Sequence, residues 1–180
     1  MSEKTWVPGQ KRPDVASMIR VDQAGEYGAT RIYAGQLAVL GEDSPAAHVI
    51  THMAAQEDAH LARFNQLMAE RRVRPTLLQP FWNVAGFGLG AVTALISPKA
   101  AMACTYAVET EIDKHYDEQL RALGQDEPEL AADIRQFQLE ELEHRDTARE
   151  HGSEEAPAYP LMSAAIRAGC KLAIALSKRI

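Results

Sequence analysis

The segment RVDQAGEYGATRIYAGQ, residues 20–36, is the first member of a long internal repeat. Its Glu26 and Tyr33 recur 83 positions later as Glu109 and Tyr116. The same offset relates three further pairs, namely Ala24 with Ala107, Gln36 with Gln119 and Leu37 with Leu120. Self-similarity at a fixed offset is typical of repeated structural units, so the pattern predicts a chain built from two related halves.

Each half also carries a Glu-x-x-His motif in its second helical segment. Glu57 and His60 form the first motif, and Glu141 and His144 form the second, 84 positions later. At roughly 100° of rotation per residue, positions i and i+3 lie on one face of a helix. Each pair can therefore bind a metal ion from a single helix.

The repeated glutamates and the two motifs together make a complete set of ligands. Four carboxylates and two imidazoles are the inward-facing groups of ferritin-like dimetal bundles. The predicted ligands are Glu26, Glu57, His60, Glu109, Glu141 and His144. We expect each Glu-x-x-His pair to bind one ion, with Glu26 and Glu109 bridging the two ions. Two divalent ions would balance four negative charges that are otherwise strongly disfavoured in the core of a bundle.

Neighbouring carboxylates compete for two of these positions. Glu111 competes with Glu109, and the seven-residue spacing to Tyr116, matched in the first half, favours Glu109. Glu140 competes with Glu141, and the i+3 spacing to the histidine favours Glu141. The oxygen and nitrogen ligands suit iron and manganese alike, so the ligand types leave the metal open.

The chain is predicted to be all-α, because apolar residues recur at helical spacing and alternating runs are short. Long helices are expected over 14–40, 44–72, 99–123 and 127–150. The predicted fold is a ferritin-like four-helix bundle with an additional apolar membrane-interface helix and a C-terminal amphipathic helix. The predicted organisation is a flexible N-terminus at 1–13, a single ferritin-like di-iron domain at 14–180, the membrane-interface segment at 81–96 and the C-terminal helix at 160–178.

An uncharged stretch of 24 residues separates Arg74 from Lys99. Its apolar part, residues 81–96, is shorter than the roughly 20 residues that a spanning helix needs. Basic residues flank it on both sides, which is typical of a helix lying in the membrane interface; a buried core helix is the alternative. The glycines at 86, 88 and 90 lack the spacing of a dinucleotide fingerprint. They are interpreted as helix–helix or lipid contacts.

Composition narrows the class of protein further. The chain has 180 residues, 46% of them hydrophobic, and a formal net charge of −6. An acidic balance gives no support for a nucleic-acid partner. Two distant cysteines, Cys104 and Cys170, favour a reducing compartment over a disulfide framework. Residues 1–13 match neither a secretory signal nor a transit peptide.

The chain closely resembles the demethoxyubiquinone hydroxylase family of ubiquinone biosynthesis. The resemblance rests on the runs RVDQAGEYGATRIYAGQ, EDAH, RVRPTLLQPFWNVAGFGLGA, AMACTYAVETEIDKHY, EELEH and APAYPLMSAAIRAGCKLAI. They span roughly residues 18–180 and leave residues 1–12 uncovered. The ligand pattern of that family falls on the six residues that the repeat gives, and His115 and Tyr116 match its His-Tyr pair near the metal.

The resemblance implies a di-iron monooxygenase bound to the membrane surface. Its cofactors would be two Fe²⁺ ions, with O₂ as the co-substrate and a polyprenyl quinone as the substrate. The reductant would be a reductase, NADH acting through the quinone, or the quinol itself. His115 and Tyr116 would orient ligands or substrate, a role that stays open beside a plain structural one. The resemblance also implies a lipid-binding accessory protein of the same pathway and leaves a homo-oligomer open. The expected location is the cytoplasmic face of a bacterial inner membrane, or the matrix face of the mitochondrial inner membrane.

Other classes of protein compete with this interpretation. A ferritin-like protein that binds or oxidises iron would need the same ligands but no quinone and no interface helix. A rubrerythrin-like peroxidase would need paired CxxC motifs, and the chain has only two cysteines. A quinone carrier without enzymatic activity would have no use for six metal ligands.

Overall fold

Helices make up the regular structure of the chain. The computed structural model describes residues 13–179, which form six α-helices, one short 3₁₀ helix and no strand. The α-helices are α1 (Val15–Leu37), α2 (Pro45–Arg71), α3 (Gln79–Ile96), α4 (Pro98–Leu123), α5 (Pro128–Glu150) and α6 (Tyr159–Ser177), and the 3₁₀ helix covers Ser153–Glu155. The all-α prediction is confirmed over these residues. The predicted flexible segment lies outside the described residues except for Pro13.

Local signals in the sequence set the helix ends. The Asp14 carboxylate accepts a hydrogen bond from the backbone N–H of Ser17 at 3.0 Å and caps α1. Gly124 ends α4 with a φ of 58°, a conformation that costs a glycine little. Helix α1 ends at Leu37 rather than at residue 40, because the next residues tighten into a turn in which the N–H of Val39 binds the carbonyl of Gln36.

Two helical hairpins, α1–α2 and α4–α5, pack against each other around two apolar clusters. The first cluster is built on Ile19, Phe64, Leu123, Leu130 and Ile134. The second is built on Leu40, Ile50, Met53, Met102 and Ala148. Along each of the four helices, the predicted ligands fall between the residues of these two clusters. The apolar clusters therefore enclose a polar layer at mid-height of the bundle.

Helix α3 packs on α1 at backbone contact distance, and glycines make this possible. A Cβ added to Gly90 would lie 1.9 Å from the carbonyl oxygen of Ile32, and one added to Gly35 would lie 2.1 Å from that of Phe87. Gly88 faces open space. The predicted helix–helix role is therefore met at Gly90, whereas Gly88 lies outside the contact.

Helix α6 is held against α4 by charge. Glu111 of α4 is only 4% exposed. Its Oε1 accepts a hydrogen bond from Nε of Arg167 on α6 at 2.6 Å, and its Oε2 lies 3.7 Å from Nζ of Lys171. Lys114 completes the cluster at 2.9 Å. These contacts fix the middle of α6 on the bundle.

The outer faces of α3 and α6 are strongly apolar. The large exposed side chains on these helices are Phe81, Val84, Phe87, Val92, Leu95, Ile96, Leu161, Leu172 and Leu176. Among the described helices, α6 alone is long and apolar enough to cross a membrane, judged by length and composition. Both helices thus present unpartnered hydrophobic surface on the same side of α1 and α4.

Candidate metal centre

The structure brings all six predicted ligands together inside the polar layer. Each is at most 3% exposed. One glutamate comes from α1 and one from α4, and each Glu-x-x-His pair comes from α2 or α5. Within the described residues, the side chains form two groups whose candidate ligand atoms all lie within 4.8 Å of one another. The two groups consist of Glu26, Glu57, His60 and Glu141, and of Glu57, Glu109, Glu141 and His144.

The grouping changes the expected roles of the carboxylates. Glu57 and Glu141 belong to both groups, whereas Glu26 and Glu109 belong to one group each. The geometry therefore favours Glu57 and Glu141 as the bridging pair, in place of the predicted Glu26 and Glu109. The reason is that α2 and α5 each direct the glutamate of their Glu-x-x-His motif between the two histidines. The spacing of residues along a single helix could not predict this position.

Both histidines point the same ring nitrogen into the centre. Nδ1 of His60 lies 3.2 Å from Oε1 of Glu141 and 3.5 Å from Oε2 of Glu26. Nδ1 of His144 lies 3.1 Å from Oε1 of Glu57 and 3.2 Å from Oε2 of Glu141. The Nε2 atoms face outward, so Nδ1 is the nitrogen that is positioned to bind a metal ion.

Burial and close spacing shift the pKa values of the carboxylates in the centre. Burial raises the pKa of Glu57 and of Glu109 well above the usual 4.5, and the neighbouring carboxylates raise them further. Burial also opposes the charged forms of His60 and Glu141. At His60 the contacts with Glu141 and Glu26 outweigh burial, and at Glu141 the contacts with His144 and His60 outweigh it. The pKa of His60 rises to about 11 and that of Glu141 falls to about 2.

The residues present fit a pair of divalent cations. Both oxygens of Glu57 and Nδ1 of His60 are buried and form no hydrogen bond within residues 13–179. Buried polar atoms without a partner cost free energy, and cations would satisfy them. The donor set of carboxylate oxygens and imidazole nitrogens suits Fe²⁺ and Mn²⁺.

Two tyrosines link the halves of the chain at the centre. The hydroxyl of Tyr116 donates a hydrogen bond to Oε1 of Glu26, and that of Tyr33 donates one to Oε1 of Glu109 at 3.2 Å. Burial and the nearby carboxylates raise the pKa of both phenols well above 10, so both remain donors. Sequence reasoning used Tyr33 only to register the repeat. The hydrogen bond from Tyr33 to Glu109 of the other half shows that Tyr33 lies beside the candidate ligands.

His115 contacts a buried acid rather than any of the six candidate ligands. Its Nε2 lies 3.4 Å from Oδ1 of Asp22, and the amide of Gln119 donates to the same oxygen at 2.7 Å. Asp22 is 3% exposed, and burial raises its pKa. Sequence reasoning missed Asp22; its position one helical turn before Glu26 is a signal that could have found it.

The competing carboxylates lie outside the two groups. Glu111 binds the basic residues of α6, as described above. Oε2 of Glu140 lies 2.5 Å from the outward Nε2 of His60, and the amide of Gln136 donates to its Oε1 at 2.5 Å. Partial burial raises the pKa of Glu140, but these two bonds lower it overall. The outward Nε2 of His144 meets the amide oxygen of Gln56 instead, at 3.0 Å.

An apolar cavity of about 400 Å³ lies among α1, α3, α4 and α6. Trp82 and Leu89 line it from α3, and Ile166 and Cys170 line it from α6. Its lining also includes Gly25, Gly28, Val108 and Ile112, so the cavity borders the segments that carry Glu26 and Glu109. A Cβ added to Gly25 would lie 3.7 Å from Cδ1 of Ile112, which shows how closely α1 and α4 approach there.

Comparison with known proteins assigns the chain to a family. The family model of ubiquinone biosynthesis protein COQ7 matches residues 13–177. This chain belongs to that family. A relative from Rhodospirillum rubrum, named 3-demethoxyubiquinol 3-hydroxylase, is 56% identical over 176 residues, covering 97% of this chain and 83% of the relative. The family expected from the sequence is confirmed.

Eukaryotic members of the COQ7 family are similar over nearly the same span. A Bos taurus protein named NADPH-dependent 3-demethoxyubiquinone 3-hydroxylase, mitochondrial, is 56% identical over 173 residues, covering 94% of this chain and 79% of its own. The Saccharomyces cerevisiae 5-demethoxyubiquinone hydroxylase, mitochondrial, is 46% identical over 179 residues, covering 91% and 77%. The bovine name states NADPH, whereas the sequence analysis named NADH among the candidate reductants.

Proposed function

We propose that this chain is a di-iron monooxygenase that hydroxylates the ring of a demethoxyubiquinol-type polyprenyl quinone in ubiquinone biosynthesis. The observation that carries the proposal is a buried cluster of six candidate metal ligands, two of which, Glu26 and Glu109, directly follow Gly25 and Val108 of the apolar cavity's lining. The names of the relatives supply the reaction and the class of substrate. The proposal further takes α1, α2, α4 and α5 as a ferritin-like bundle within one domain at 14–180.

The six candidate ligands would hold two ferrous ions, and Glu57 and Glu141 belong to both groups of ligand atoms. When bound, these ions supply the electrons that activate O₂. The overall reaction inserts one oxygen atom into a ring C–H bond and reduces the other to water, which takes two electrons and two protons from a reductant. NADPH, named for the mitochondrial relatives, and NADH are both candidates for that reductant.

The protein's own contribution is exclusion of water and orientation. The two apolar clusters close the polar layer from above and below, so that charge inside it is poorly screened. Tyr33 and Tyr116 hold the carboxylates of Glu109 and Glu26 by hydrogen bonds from outside the two groups. Both tyrosines would thereby fix the orientation of Glu109 and Glu26, which are the single candidate ligands of α4 and α1.

The cavity is suited to an aromatic ring that carries few polar groups. Its lining is almost entirely apolar, and Trp82 places the largest of the lining side chains in it. The indole Nε1 of Trp82 is buried and has no hydrogen-bond partner among the described residues. We therefore assign it as a donor to an oxygen of the bound ring. His115 would orient the centre or the substrate, as the family resemblance implies, and Asp22 would hold its imidazole through the contact at 3.4 Å.

The apolar faces of α3 and α6 would place the enzyme on a membrane surface. A polyprenyl tail is too apolar to cross water, and the cavity lies between these two helices. Arg167 and Lys171, in the middle of α6, bind Glu111 of α4, which favours a helix lying flat on the bundle over one that leaves it to span the bilayer. We propose a peripheral protein, on the cytoplasmic face of a bacterial inner membrane or the matrix face of the mitochondrial one. The family resemblance also implies a lipid-binding accessory protein and leaves a homo-oligomer open, and we retain both as proposals.

A quinone profile tests the proposed function. Cells that lack the protein should accumulate a quinone with one methoxy group fewer, and expression of this chain should restore ubiquinone. An unchanged profile in the deletion strain would reject the hydroxylase. It would instead favour the ferritin-like alternative, a protein that binds or oxidises iron without a quinone substrate.

A further inference from the structure

The two histidines of the centre differ in what their outward nitrogens meet. Nε2 of His60 lies 2.5 Å from a carboxylate oxygen of Glu140, whereas Nε2 of His144 lies 3.0 Å from the amide oxygen of Gln56. The two motifs are otherwise related by the internal repeat, and their Nδ1 atoms face the centre in the same way. The two imidazoles therefore differ in their hydrogen-bond acceptor, which is charged at His60 and neutral at His144.

The surroundings of Glu140 hold it in place on His60. The amide of Gln136, one helical turn earlier on α5, donates to the other oxygen of Glu140 at 2.5 Å. The ring of Phe137 lies against the imidazole of His60, with centroids 4.1 Å apart. A fixed carboxylate that accepts the outward N–H of an imidazole increases the electron density at the opposite nitrogen and makes it a stronger ligand.

The surroundings of Gln56 are more open. A polar cavity of about 210 Å³ lies between α2 and α5, and it is lined by His144, Gln56 and His52 among others. His60 does not line this cavity. The neutral amide of Gln56 gives His144 a weaker acceptor, and the cavity borders both residues of this contact.

We propose that Glu140 and Gln56 are positioning residues that make the two metal positions unequal. The position that includes His60 binds a divalent cation more tightly, and the position that includes His144 binds the second cation more weakly and exchanges it through the polar cavity. This inference rests on the proposed metal centre and adds an order of filling to it. The two cations therefore enter in sequence rather than together.

Anaerobic titration of the full chain with Co²⁺ tests the proposal, because its visible absorption reports the ligand field of each bound ion. The wild type should show two binding steps of different affinity. E140Q keeps an oxygen acceptor of the same shape but removes its charge, so it should weaken the tighter step by about 10- to 100-fold and change its spectrum. H144A should keep the tight step, and H60A should lose it.

Two further variants separate charge placement from charge number. E129Q removes an exposed carboxylate in the first turn of α5 that lines neither cavity, and it should leave both steps unchanged. The double variant Q56E/E140Q keeps the total charge and moves the carboxylate to His144, so the tight step should move with it and require His144 rather than His60.

The outcomes distinguish a failure of the proposed metal centre from a failure of the inference that its two positions are unequal. If the wild type binds no Co²⁺ at these ligands, the proposed metal centre itself is wrong. If it binds two ions but E140Q and the double variant titrate like the wild type, the centre stands and the inference is overturned. If E129Q weakens binding as much as E140Q does, overall charge sets the affinity and the inference is likewise overturned. Circular dichroism of each variant before titration identifies any that has not folded.

Discussion

The hydroxyl of Tyr116, in the second half of the chain, donates a hydrogen bond to Glu26, in the first half. The repeat places Tyr33 and Glu109 in the reciprocal relationship, at 3.2 Å. Each half thus supplies the donor that orients a carboxylate of the other half. The two halves are coupled at the centre by these hydrogen bonds, and the candidate ligands Glu57 and Glu141, one from each half, belong to both groups.

Removal of one phenol should weaken the centre without unfolding the bundle. Tyr116→Phe leaves the ring packed in its apolar cluster but deprives buried Glu26 of its donor, so we expect about a 10-fold loss in Fe²⁺ affinity. Anaerobic iron titration measures it. Tyr27→Phe on α1 is the control and should titrate as the wild type; equal affinity in all three proteins would show that the hydrogen bond does not matter.

The metal-free protein should lose stability as the pH rises. The pKa of Glu57 is raised above the 4.5 of an unfolded carboxyl, and that of His60 is raised to about 11. In both cases the folded state binds more protons than the unfolded state. The stability that these protons confer is complete below the unfolded pKa values and is lost as the pH rises toward the folded ones.

Chemical denaturation of the metal-free protein between about pH 6 and pH 9 measures this dependence. Glu57→Gln should raise the free energy of unfolding at the higher pH and flatten the slope, because it removes a carboxylate that others repel. Asp58→Asn, at the exposed neighbouring position, should retain the slope. A wild-type stability that rises over this range would contradict the assigned protonation.

The contact between α1 and α3 should tolerate no methyl group at Gly90. A Cβ there would lie 1.9 Å from a backbone carbonyl, so Gly90→Ala must push the helices apart and should cost about 1–3 kcal/mol of stability. Gly88→Ala, which faces open space, should be neutral or stabilising by up to about 1 kcal/mol through helix propensity. Urea denaturation compares them, and similar stabilities for the two variants would refute the close packing.

Membrane binding should depend on the exposed faces of α3 and α6. Replacement of Val84, Leu95 and Leu172 by serine removes side chains that are 73%, 72% and 60% exposed. The triple variant should float poorly with anionic liposomes while binding iron normally, because it touches none of the ligands. Leu139→Ser, at an equally exposed leucine on α5, should float as the wild type does. If the triple variant floats with the liposomes as the wild type does, the membrane-binding surface of the protein lies elsewhere.

The sequence predicted the helices and the composition of the candidate site because both follow from local spacing. A Glu-x-x-His pair shares a helix face whatever the tertiary structure, and the repeat distinguished Glu109 from Glu111. The bridging pair could not be predicted in this way, because it depends on how α2 and α5 face each other. The contacts of Glu140 and Asp22 were missed for the same reason.

The sequence pattern also could not predict which side chains of α3 line the cavity. Spacing predicted two apolar elements but not that Trp82 and Leu89 turn toward the cavity while Val84 and Leu95 face outward. That division depends on the rotation of α3 about its axis, which the glycine contact with α1 determines. The exposed apolar surface of α3 and the surface of α3 that lines the cavity are therefore opposite faces of one helix.

Turnover with isotopically heavy O₂ tests the central claim most directly. Protein loaded with two Fe²⁺ ions and supplied with a demethoxyubiquinol and NADPH should yield a hydroxylated ring that contains one heavy oxygen atom. Glu57→Ala should bind less iron and form no product, whereas Asp58→Ala should match the wild type. Product without heavy oxygen, or undiminished turnover by Glu57→Ala, would contradict the account.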